Sequence, residues 1–115
     1  MYDTVVVGAG IAGCVIASLL AKKGFNVCLI DKRHAENIGN KVCGDALIAR
    51  GLDQLGFELP KDVITNVALA LNFHATGIEP IRLRTRIFLL DRSKFGQYFL
   101  HKAMDDGSIF LDKCR

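Results

Sequence analysis

A chain of 115 residues, half of them hydrophobic and 23% charged, has the composition of one folded domain or part of one and is too apolar for disorder. Its net charge of +3 arises from lysines and arginines spread along the chain, which offers no electrostatic footprint for nucleic acid. Glycines and the pair Lys22 and Lys23 interrupt the longest apolar stretches, so no segment is expected to span a membrane.

The first element in chain order is Thr4 to Val7, a β-branched run too short for a helix and suited to a buried parallel strand. It leads into Gly8-Ala9-Gly10-Ile11-Ala12-Gly13, a G-x-G-x-x-G pattern. Ile11 to Lys23 reads as a helix with an apolar face of Val15, Ile16, Leu19 and Leu20, stopped by Gly24. Asn26 to Ile30 is a second strand, ending on Asp31, about twenty residues past the glycines.

This order has a physical logic. Gly8 permits a tight turn, and Gly10 lets the backbone approach a pyrophosphate. Gly13 lets the helix lie close to the strand, and the N–H groups of the helix start attract phosphate. Asp31 is placed to accept hydrogen bonds from ribose hydroxyls. A lone glycine pattern is often only a flexible loop, but here strand, glycines, helix, second strand and acid fall in register. The expectation is a dinucleotide-binding βαβ unit, with FAD and NAD both open. Asp31 opposes a ribose 2′-phosphate, an objection that the neighbouring Lys32 and Arg33 soften.

After Arg33, His34 to Asn40 has turn chemistry. Asp45 is read as the cap of a helix carrying Leu47, Ile48, Leu52 and Leu55 and closing at Gly56. Val67 to Phe73 reads as a strand, and Ile81 to Leu83 and Ile87 to Leu90 as two more. Ser93 to Asp105 is expected to be helical, with Phe95, Tyr98, Phe99 and Met104 contributing apolar surface and the three aromatic rings as core and not as a stacking platform. Ser108 to Asp112 is a last strand and a candidate third member of the parallel sheet. The fold class is α/β: a Rossmann-like domain with a βαβ start, a parallel sheet with helices and an additional small β segment. Ending directly after a strand, residues 1–115 read as the N-terminal part of such a domain in a longer protein.

Cys14, Cys28, Cys43 and Cys114 share no short spacing and the three histidines do not cluster with them, so no metal site is expected. Cys14 and Cys28 fit packed positions in helix and strand. Met1 leads into a strand pattern without a secretory signal, which favours reduced thiols and a cytoplasmic setting.

The first thirty residues resemble the FAD-binding start of the flavoprotein superfamily that includes p-hydroxybenzoate hydroxylase. Ile38 to Leu47, "IGNKVCGDAL", is narrower and resembles the Lys-x-Cys-Gly-acid-small loop of geranylgeranyl reductases, most closely the archaeal ones. Phe88 to Gly107 resembles a later segment of that superfamily, an arginine followed by a helix and a glycine turn. Gly96 departs from it, standing where the family usually has aspartate after Phe95.

The resemblance implies an FAD-dependent oxidoreductase that saturates prenyl C=C bonds in isoprenoid lipid biosynthesis. Gly8, Gly10, Ala12 and Gly13 would meet the FAD pyrophosphate, and Asp31, flanked by Lys32 and Arg33, the adenosine ribose. Lys41, Cys43, Gly44 and Ala46 would lie along the flavin, and Arg92 would reach back to the cofactor. Cys43 is the one candidate for direct catalytic chemistry, because Lys41 and a following helix start would lower a thiol pKa. Implied partners are a prenylated lipid or prenyl pyrophosphate and an electron donor for the flavin, with peripheral membrane contact. Two alternatives remain: another monooxygenase-like flavoenzyme of the superfamily, or a nucleotide-binding module without catalysis.

Overall fold

The structure, a computed structural model, describes residues 1–114. In chain order the elements are β1 (Thr4–Val7), α1 (Ile11–Lys22), β2 (Val27–Ile30), a 3-10 turn at Ala35–Asn37, β3 (Ala46–Ile48), α2 (Arg50–Leu55), β4 (Ile64–Ala75), β5 (Ile78–Leu90), α3 (Arg92–Asp105) and β6 (Ile109–Leu111). The described residues divide into two compact units, the first made of residues 1–41 with 92–114 and the second of residues 42–91.

The first unit is a three-stranded parallel sheet in the order β1-β2-β6, so the last strand does join the first two. Parallel neighbours need a crossover, and α1 and α3 supply the two crossovers. β2 is central and buried along Val27, Cys28 and Leu29. α1 and α3 pack together, burying Cys14 and Ala17 on one and Phe95, Phe99 and Leu100 on the other. Phe99 meets Phe95 and Tyr98 edge to face; Phe95 and Phe99 are core, as expected, whereas Tyr98 is only half-buried at the margin of that core.

Polar ties secure the far ends of the two helices. Ser18 hydrogen-bonds the Asp106 carboxylate, which also pairs with Lys22 and Lys102. The Ser108 hydroxyl, itself buried, donates to the Ala17 carbonyl at 3.0 Å. α1 closes at Lys23, and the N–H of Gly24, in the left-handed region, bonds Ala21 O.

The second unit is an antiparallel sheet in the order β3-β5-β4. Its core gathers Ala49, Leu52, Phe57, Val63, Ile87 and Leu90. Here the sequence expectation needs three corrections. Ile81 to Leu83 and Ile87 to Leu90 belong to one continuous strand, β5. Leu47 and Ile48 are strand, not helix, because Ala46–Ile48 pairs with Ile87–Leu89 and Ala49 N–H continues the ladder to Arg86 O. A short apolar run does not reveal its period, and pairing with β5 decides it.

Asp45 therefore caps no helix: it precedes β3, has φ +57°, and its carbonyl accepts the Leu90 N–H at 2.8 Å. The helix starts later, at Arg50, and ends on Gly56 in the left-handed region as the sequence indicated.

Candidate functional site

The start of α1 leaves a set of donors facing out of the first unit. Its cap residue is Gly10, with no side chain to satisfy the first turn, and the first intrahelical bond is Cys14 N–H to Gly10 O at 2.9 Å. The N–H groups of Ile11, Ala12 and Gly13 precede that bond and have no intrahelical acceptor. With the positive end of the helix dipole, they form an anion-binding terminus. Gly13 brings α1 against the turn: a Cβ there would lie 1.9 Å from Gly8 O. Gly10 has open space where a side chain would project.

A cavity of about 280 Å³ lies at this helix start. Its lining adds three cationic side chains, Arg33, Lys41 and Arg92, to the α1 terminus and contains no acid. Arg92 is the first residue of α3, and its guanidinium stands 5.2 Å from the Phe95 ring centroid. Its Nε is buried without a hydrogen-bond partner among the described residues. An orphaned buried donor beside a helix terminus is suited to an anion, because a buried donor left unpaired costs about 1–3 kcal/mol.

Lys41 reaches this cavity through a contact that sequence reasoning missed. Gln97 on α3 donates from Nε2 to the carbonyls of Ala35 and Ile38, each at 2.8 Å. Immediately beside it, Gly39 and Gly96 meet backbone to backbone, and both line the cavity. The departure at Gly96 thus has a structural reason: a Cβ at 96 would lie 2.2 Å from the Gly39 Cα. The one sequence signal was that glycine inside an otherwise helical pattern, which marks a close approach.

A second cleft, of about 550 Å³, opens beside the β1–α1 turn and the end of β2, lined by Val7, Gly8, Ile30, Asp31, Lys32, Arg33 and Cys114. Arg33 borders both spaces. Asp31 is 7% exposed, and its carboxylate takes the Ala9 N–H at 2.8 Å together with the Arg33 side chain. Burial alone would raise its pKa; hydrogen bonds from the Arg33 side chain and backbone and from Ala9 outweigh it, and the carboxyl titrates at about 2. The hydrogen bond to Asp31 in turn raises the Arg33 pKa above its ordinary value.

Of the residues singled out in the sequence, the first unit brings Gly10, Ala12, Arg33, Lys41 and Arg92 onto one cavity and Gly8, Asp31, Lys32 and Arg33 onto the neighbouring cleft. Cys43, Gly44 and Ala46 belong to the second unit and are exposed. Cys14 and Cys28 are buried free thiols, and desolvation first, then the Asp31 charge, pushes Cys14 up to about 11. Among the described residues no three His, Cys, Asp or Glu side chains group as metal ligands.

An α/β unit with a glycine turn, a bare helix terminus and an acid after the second strand defines a dinucleotide-binding fold of the Rossmann type. In agreement, residues 6–39 match the family model described as an NAD(P)-binding Rossmann-like domain. A digeranylgeranylglycerophospholipid reductase of Sulfolobus acidocaldarius is 29% identical over 108 residues, covering 92% of this chain and 24% of that protein. The digeranylgeranylglycerophospholipid reductase 2 of Methanopyrus kandleri is 32% identical over 109 residues, covering 93% of this chain and 27% of that one. A geranylgeranyl bacteriochlorophyll reductase-like protein of Thermoplasma acidophilum has the same fold, with a TM-score of 0.86 at 28% identity over 97% of this chain and 30% of its own. The chain is thus similar to one part of these reductases, and it spans less than a third of the length of these relatives.

Proposed function

We propose that this chain is the FAD-binding portion of a flavoenzyme that reduces prenyl C=C bonds of isoprenoid lipids. The observation that carries the reading is the orphaned Nε of Arg92, buried beside the bare terminus of α1 in a cavity lined by cations and glycines. That arrangement suits a pyrophosphate, the central group of FAD. The names of the reductase relatives support a prenylated lipid as substrate, and the resemblance of the first thirty residues to FAD-binding flavoproteins supports the choice of flavin.

In this reading the first turn of α1, with Gly10 and Ala12, and the side chains of Arg92 and Lys41 bind the pyrophosphate oxygens. Gly8, Gly13 and Asp31 fix the turn that presents those donors, while Lys32 and Arg33 border the adenosine cleft. Cys43, Gly44 and Ala46 serve the flavin end. When bound and reduced, FAD would supply the hydride for one alkene carbon, with a proton added to the other and a separate electron donor reducing the flavin again. The enzyme works from the cytoplasm at a membrane surface; no described helix is long and apolar enough to cross one.

The test starts with colour. Purified protein loaded with FAD should be yellow, quench flavin fluorescence on binding, and release FAD on denaturation. A protein that cannot be loaded would sink the reading and leave a module without flavin. For the enzyme carrying this chain, reoxidation of reduced flavin by a prenyl lipid is the expected reaction. Reoxidation by oxygen coupled to hydroxylation of a phenol, with no response to prenyl lipid, would instead identify a monooxygenase-like flavoenzyme.

A further inference from the structure

Gln97 does not border the α1-terminus cavity, yet its side-chain amide holds the loop that enters it. The 3-10 turn at Ala35–Asn37 closes with Asn37 N–H on His34 O at 3.0 Å and Ile38 N–H on Ala35 O at 3.2 Å. A turn this short does not stabilise itself in water and leaves carbonyls in need of partners. A primary amide has two N–H donors, and Gln97 Nε2 meets Ala35 O and Ile38 O, each at 2.8 Å. One side chain on α3 thus spans the whole turn.

Ile38 is fully buried, so the tie grips the loop at a fixed point of the core. Gly39 follows at φ +98°, a turn that glycine enters without strain, and Lys41 comes two residues later. Arg92 and Gly96 reach the cavity on α3 itself. Lys41 reaches it only because the loop is held against that helix. Gly96, standing where the resembled family usually has aspartate, gives the loop a close backbone contact but no side-chain tie. The adjacent Gln97 gives the tie.

Resting on the FAD reading above, we propose that Gln97 is a positioning residue for the dinucleotide phosphates, acting through Lys41. By holding the carbonyls of Ala35 and Ile38 it aims the Lys41 ammonium at the phosphate oxygens, without touching the ligand itself. Three consequences separate this role from that of a plain structural staple. Losing Gln97 and losing Lys41 remove the same interaction, so their effects on affinity do not add. The interaction lost is between charges, so it takes part of the salt dependence of binding with it. Arg92 stands on the helix and not on the loop, so its contribution is independent of Gln97.

The experiment measures FAD binding by fluorescence quenching at several salt concentrations. It uses the unaltered protein, Gln97→Met, Lys41→Met and Arg92→Met, with the double variants Gln97→Met/Lys41→Met and Gln97→Met/Arg92→Met. Methionine keeps the length and helix propensity of glutamine but has no N–H to donate. Gln97→Met and Lys41→Met should each weaken FAD by about tenfold, the scale of one hydrogen bond to a charged group. Their double variant should lie within about threefold of Lys41→Met, whereas the losses of Gln97→Met and Arg92→Met should multiply. The affinity of Gln97→Met should depend on salt less steeply than that of the unaltered protein, and about as steeply as that of Lys41→Met.

Undiminished FAD affinity in Gln97→Met would overturn the proposal and leave the residue to the scaffold. So would losses that multiply with Lys41→Met, or a loss in Gln97→Met that keeps the full salt dependence. Should Gln97→Met fail to fold, Lys41→Met decides the matter: full affinity there leaves Gln97 nothing to act through. Failure of the underlying reading has a different signature, because the unaltered protein would then bind no FAD.

Discussion

Gly39 and Gly96 lie so close that a Cβ on Gly96 would stand 2.2 Å from the Gly39 Cα, and one on Gly39 would stand 2.7 Å from Ser93 O. This backbone-to-backbone contact, reinforced by Gln97, carries the loop after the 3-10 turn onto the first turns of α3 and sets Lys41 and Arg92 around one cavity.

Gly96→Ala should therefore destabilise the protein although alanine is the better helix former. The clash involves backbone, which cannot step aside as a flexible side chain can. Overpacking costs about 1–3 kcal/mol, more than the roughly 1 kcal/mol that alanine gains over glycine in a helix. Thermal unfolding should show a lower Tm. An unchanged or raised Tm would mean that the loop yields freely.

Arg92→Met should show the opposite balance. It removes a buried Nε that has no hydrogen-bond partner among the described residues, so stability should hold or rise slightly while FAD affinity falls by about ten- to a hundredfold. Parallel denaturant titrations and fluorescence quenching measure the two effects. Loss of stability with full FAD affinity would assign Arg92 to the scaffold.

The Asp31 carboxyl, held at about 2, makes a pH-dependent contribution to stability. Its folded-state pKa lies below the ordinary value of about 3.9, so the contribution is fully present above that value and is lost as pH falls through about 2. It amounts to about 2 kcal/mol for this well-buried group. Asp31→Asn should cost about that much near pH 6, and the gap to the unaltered protein should narrow from pH 4 towards pH 2. A gap that stays constant over that range would show that ionisation of Asp31 does not contribute.

The thiols should divide by burial. Cys43 is exposed, whereas Cys14 and Cys28 are buried, with Cys14 raised to about 11. Iodoacetamide at pH 8, followed by peptide mass mapping, should label Cys43 first and leave Cys14 and Cys28 blocked until denaturation. A Cys43→Ser variant with full FAD binding and full turnover in the enzyme would remove the case for thiol chemistry.

Much of this protein was legible along the chain because the information is local. Thr4 to Val7, the glycines, the helix after them and Asp31 follow one another at the spacings of a phosphate-binding βαβ unit. Gly24 and Gly56 stop their helices through their own backbone freedom, which needs no distant partner. The apolar period of α3 likewise located Phe95 and Phe99 in the core.

What tertiary structure decided has a different origin. Ala46–Ile48 becomes strand because β5 offers it a ladder, and Asp45 turns through φ +57° to enter that ladder instead of capping a helix. The hydrogen-bonding partners of Asp31, more than twenty positions away at Ala9 and two residues on at Arg33, set the state of its carboxylate. Gly39 and Gly96 are separated by a whole folded unit in the sequence, and no spacing rule links them. The sequence by itself determined the glycine turn and the helix terminus that can hold a phosphate, because those depend on neighbouring residues. Which cations surround that terminus was decided by packing, because only contact between distant backbones brings Lys41 and Arg92 to the same cavity.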